Sequence, residues 1–198
     1  MRYPRATLDH YLRYIVHSAQ ILLLIILCIC TSAKANDEPI IDDIIITTST
    51  TDLLLFAAVK DCFTQEMLEG VRNAIPLTFR FDVDLYRIRN NWFDANLIEH
   101  DINHTLSYDP LKQEYQVAFA EKDRPEVTRS LDEAKQMMAE LNGIKVIPLK
   151  ALPHEATYVL HIKATLVENT FPLGIHSLIP FTSLRNFETE WRTIEFTY

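Results

Sequence analysis

Apolar and polar residues alternate along "PLTFRFDVDLYRIRNNWFD", from Pro76 to Asp94. Leu77, Phe79, Phe81, Val83 and Leu85 share one phase, and Thr78, Arg80, Asp82, Asp84 and Tyr86 the other. Successive side chains of a strand point to opposite faces, so this spacing predicts a strand with one buried face. Arg87 and Arg89 fall on the apolar phase. A buried, unpaired arginine is too costly, so either the strand outruns its core or a bulge after Leu85 reverses its faces.

The same reading extends along the chain. "IIDDIIITTS" and "DLLLFAAVKD" predict two strands divided near Thr51 and Asp52. A short helix is expected from Gln65 to Asn73, capped by Thr64, with Met67, Leu68 and Val71 on one face. The segment from Asn96 to Tyr108 alternates again, placing Ile98, Ile102, Leu106 and Tyr108 together, and "YDPLKQ" turns into a strand bearing Tyr115, Val117 and Phe119. Ser130 and Glu133 make a capping box for a helix whose stripe is Leu131, Ala134, Met137, Met138 and Leu141, with Asn142-Gly143 as its stop. Tyr158 to Leu166 and the closing "NFETEWRTIEFTY" supply the last strands. Short turns between consecutive strands point to antiparallel pairing, and two helices cannot cover both faces of a large sheet. The expected fold is mostly β (α+β): an antiparallel twisted β-sandwich or curved sheet with two short helices at its edges.

The first 35 residues change the compartment. Arg2, Arg5 and Arg13 precede the apolar run "ILLLIILCIC", and Ala33-Lys34-Ala35 is a small-x-small cleavage site. Residues 1–35 therefore read as a signal peptide with its own helix, and residues 36–198 as a single β-rich domain in an exported, periplasmic protein. The competing expectation is a membrane anchor formed by residues 14–33, since about 20 apolar residues span a bilayer. Without residues 1–35 the chain keeps 15 basic and 26 acidic residues, a net charge of −11. That balance lacks the basic footprint nucleic acid needs. Cys62 alone survives cleavage, so no internal disulfide is expected.

Candidate chemistry is sparse. Arg87, Arg89 and Trp92 could form an anion or carboxylate site, because the planar guanidinium fork suits such a partner. The structural alternative pairs the arginines with Asp94 or Glu99 at the rim. Asp82 and Asp84 stand about 7 Å apart on one strand face, a spacing open to acid–base work, but a solvated face with Arg80 beside them accounts for them better, and no aromatic platform for a sugar is evident. His100 and His104 lie about 13 Å apart along a strand, too far to share a metal. Cys62 sits where a helix amino end could lower its pKa, with a small buried thiol as the ordinary reading. Glycines at 70, 143 and 174 form no phosphate loop, no GxGxxG and no GxSxG elbow. No catalytic residue, metal or cofactor is expected.

"PLTFRFDVDLYRIRNNWFD", "LSYDPLKQEYQV", "SLDEAKQMM", "FPLGI" and "TEWR", in that order, resemble the bacterial domain-of-unknown-function family 4390, whose members are short exported proteins. The chain departs from that pattern with Ile88 between the arginines, where a proline is common, and with Phe187 near a frequent tryptophan. The resemblance implies an envelope location and a gene neighbourhood near a membrane sensor kinase, and it carries no catalytic residues. The expected function is a non-enzymatic envelope domain that binds another protein as a signalling accessory. The alternative is a small-ligand or anion-binding domain with a pocket near Arg87, Arg89 and Trp92.

Overall fold

The computed structural model describes His17, Gln20 and residues 38–89, 92–167 and 187–198. The signal segment, the anchor alternative at 14–33, the expected start at Asn36 and "FPLGI" lie outside the described residues, apart from His17 and Gln20. The chain divides into two compact units, Met1–Asp37 and Glu38–Tyr198. Within the second, the strands are β1 (Ile40–Thr48), β2 (Asp52–Lys60), β3 (Leu77–Arg87), β4 (Ala95–Asp109), β5 (Glu114–Phe119), β6 (Glu126–Thr128), β7 (Glu140–Pro148), β8 (Thr157–Val167) and β9 (Arg192–Thr197). Helix α1 spans Gln65–Arg72 and α2 spans Leu131–Ala139.

All pairing is antiparallel. Three strands form one sheet in the order β1-β2-β7, and six form another in the order β6-β5-β4-β3-β8-β9. The alternating stretch is thus the heart of the larger sheet, with β4 and β8 on its flanks. Its inward residues Phe79, Phe81, Val83 and Leu85 are buried beside Ile102 and Leu106 of β4 and Leu160 and Ile162 of β8. Helix α1 adds Met67 and Val71, and α2 adds Ala134 and Met138 to the same core. Thr64 accepts from the Met67 amide at 3.3 Å and so caps α1.

Bulges curl both sheets. Between Leu85↔Ile98 and Tyr86↔Asn96 the β3–β4 ladder skips Leu97, so the extra residue belongs to β4. The β3–β8 ladder runs unbroken from Thr78 to Arg87. The faces of β3 therefore do not reverse, and Arg87 stays on the inward phase, half-buried at the end of the strand opposite Tyr158.

Two expectations at α2 need correction. The helix does not reach Asn142; it ends at Ala139, and the chain passes directly into β7. Leu141 is therefore a buried strand residue, and Asn142-Gly143 lies inside that strand instead of stopping the helix. The cap is also only half a capping box. The Ser130 hydroxyl accepts from the Glu133 amide at 3.3 Å, but the Ser130 amide donates to Thr128 Oγ1 at 3.1 Å, and Thr128 donates its own hydroxyl proton to Glu133.

Candidate functional site

At one end of the larger sheet β3 leads into a tip of Arg87, Ile88, Arg89, Trp92 and Phe93. Arg87 ends β3, paired with Tyr158 on β8 and Ala95 on β4. Tyr158 is wholly buried, and burial pushes its phenol pKa up, with the positive charge of Arg87 opposing. The Ile88 amide donates to Thr157 O at 2.9 Å and holds the exit of the strand to β8. Beyond it the Arg89 amide donates to Asp94 Oδ1 at 3.3 Å, which closes the turn.

This geometry redistributes the expected partners. Asp94 meets the backbone of Arg89, and Glu99 accepts from the Asn96 side-chain amide. Among the described residues neither Arg87 nor Arg89 forms an ion pair. Arg89 and Trp92 share one turn, the Trp92 amide lying 3.5 Å from Arg89 O. Trp92 is 73% exposed, and Phe93, which sequence reasoning passed over, is 87% exposed. A Trp-Phe pair in a polar connection between two alternating stretches was the available signal.

The other candidates resolve differently. On the outer face of the larger sheet, Arg80 grips Asp82 through Nε at 2.7 Å and Asp101 through Nη2 at 3.0 Å. Among the described residues Asp84 forms no such ion pair. Burial, and then Glu99 and Asp82, raise its pKa above the ordinary carboxylate value. The same face does carry aromatic rings in a row, against expectation. Tyr86 lies 5.4 Å from His161, and His161 lies 6.2 Å from Trp191. Register explains the miss, because Asp84 pairs with His161 only once β3 and β8 are neighbours. The exposed ring of Trp191 is already faced by Lys163 at 5.0 Å.

Cys62 is buried, its Sγ donates to Val59 O at 3.4 Å, and burial pushes its thiol up to about 12. It lies just ahead of α1, but desolvation prevails over the helix end. The two β4 histidines separate, with His100 exposed and His104 buried. Among the described residues no three His, Cys, Asp or Glu side chains converge as a metal site. A cleft of about 360 Å³ opens beside β4, lined by His100, Ile102, Glu121, Gly143, Ile144 and Lys145.

Together these features define an antiparallel, strand-dominated α+β domain with a polar outer sheet face and an aromatic–arginine tip. A family model described as a domain of unknown function (DUF4390) matches residues 36–195, and the chain belongs to that family. No curated protein and no solved structure matches it.

Proposed function

We propose that this chain is an exported domain of the cell envelope that works by binding another protein, as an accessory to a signalling or assembly system. The observation that carries the reading is the tip. Two adjacent large rings, Trp92 and Phe93, stand in solvent in the turn that Arg89 opens, and neither Arg89 nor Arg87 at the end of β3 forms an ion pair among the described residues. Trp, Phe and Arg are the residue types that protein interfaces concentrate at their centres, because each buries large area or forms directed bonds at low ordering cost. The amino-terminal pattern supports export, with a mature start at Asn36.

The partner would present an apolar recess for the rings and carboxylates for the guanidinium groups. A membrane sensor kinase is the first to test. A photo-crosslinking residue placed at Phe93 should trap one defined envelope protein in the native cell. The same residue at Leu111, 95% exposed in the β4–β5 turn, should not. Changing both Arg87 and Arg89 to lysine keeps charge but removes the planar fork. It should abolish the Phe93 crosslink while leaving the melting temperature nearly unchanged. Equal crosslinking from both positions, or an unaltered crosslink in the double-lysine chain, would remove the tip from the function.

A further inference from the structure

Inside the fold, His104 is buried on the core phase of β4, with its ring between Phe81 at 5.1 Å and Phe119 at 4.8 Å. Its Nδ1 lies 3.1 Å from Met138 O in the last turn of α2. That carbonyl sits at a helix end, where carbonyls lose their intrahelical donors, and here the chain enters β7 without a loop. A carbonyl only accepts, so Nδ1 carries the proton. Nε2 faces Glu121 Oε1, also at 3.1 Å. A bare ring nitrogen and a carboxylate oxygen are both acceptors, so this second contact becomes a bond only when one further proton lies between them.

We propose that His104 and Glu121 form a proton-gated latch: a shared proton between Nε2 and Oε1 holds the carboxylate against the core, and its loss frees Glu121 toward the cleft it lines. The surroundings are sparse enough for that proton to decide. Among the described residues the ring packs on Phe81 from β3 and Phe119 from β5, and its Nδ1 meets the Met138 carbonyl from α2. Glu121 and Lys122 are the charged groups that bear on it. Lys122 bonds Glu126 through Nζ at 2.7 Å and lies 3.9 Å from the centre of the Phe119 ring, where its charge also disfavours His104 protonation. Burial lowers the pKa of His104 below its ordinary 6.5, with Glu121 opposing, so the latch closes on acidification. The pair carries one proton fewer once the latch opens, so the charge it presents to the cleft would change with the pH of the medium.

Ring-nitrogen NMR of the whole chain between about pH 5 and pH 8 tests this. The expected result is the Nδ1–H tautomer at the high end, with the His104 ring and Glu121 carboxyl signals moving together as acid is added. Glu121→Gln supplies an amide donor to the bare Nε2 and removes the negative charge. It should lower the His104 pKa by about one unit or more. An Nε2–H tautomer at high pH, separate titrations of the two groups, or an unmoved His104 pKa in the variant would each overturn the latch. Should Glu121→Gln fail to fold, the tautomer and the joint titration in the wild-type chain decide alone.

Discussion

Arg80 binds two carboxylates with its single charge and leaves Asp84 beside Glu99 and Asp82, which raise its pKa after burial. A carboxyl whose folded pKa is raised binds its proton more tightly folded than unfolded, so its ionisation opposes folding at neutral pH and the penalty fades as pH falls through the folded value. Asp84→Asn should therefore stabilise the protein at pH 7, by under about 1 kcal/mol because the site is partly solvated, with the gain vanishing in acid; paired chemical denaturation curves measure it. Phe81 is the opposite case. It is buried at the middle of β3 against the ring of His104, so Phe81→Ala should cost about 3 to 5 kcal/mol in urea unfolding. With its thiol pushed up to about 12 and buried, Cys62 should react with a disulfide reagent at mildly alkaline pH only after denaturant is added. Phe81 was readable because burial on a strand follows from alternation alone. The fate of His104 was not, since its partners Glu121 and Met138 reach it only through tertiary packing.

At the scale of elements, legibility tracked regularity. Strands β3, β4, β5 and β8 keep a period of two through their cores, and their faces were apparent. Strand β7 breaks that period twice. Its pairing with β2 steps from Ile147 to Lys145 and from Ile144 to Asn142, leaving Val146 and Gly143 as extra residues. Val146 and Ile147 are consequently buried side by side, a pattern that reads as neither helix nor strand. Gly143 has φ +70, with open space except for the Phe56 ring, which an added Cβ would meet at 3.6 Å. The constraint is thus the backbone and not room, and Gly143→Ala should cost about 1 to 2 kcal/mol in equilibrium unfolding. A two-residue turn signal inside a strand explains why Asn142-Gly143 resembled a helix stop. The three-residue β6 is too short to leave any periodic trace. The tip was half visible: two arginines out of phase marked Arg87 and Arg89, whereas the exposure of Phe93 depends on where the turn lets it point.

Across the whole molecule, charge and topology act together. Residues 36–198 carry 15 basic and 26 acidic side chains, a surplus that repels itself in the compact state. Raising ionic strength from about 0.01 M to about 0.15 M shortens the screening length to roughly 8 Å, and the melting temperature of a chain of residues 36–198 should rise in a salt titration. The smaller sheet joins distant parts of the sequence, since Phe56 on β2 pairs with Asn142 on β7. Emerging amino end first, the β1–β2 hairpin, with Leu53, Leu55 and Phe56, therefore has one side of its ladder open until residues 61–139 have followed and β7 can cover it. Asp42 and Asp43, gathered on Lys60 at 2.7 and 3.1 Å, put a charged kink on the far edge of that hairpin. The side of β2 that β7 will cover is unpaired in that interval, so a holdase that covers β2 while the chain emerges should raise the yield of folded protein.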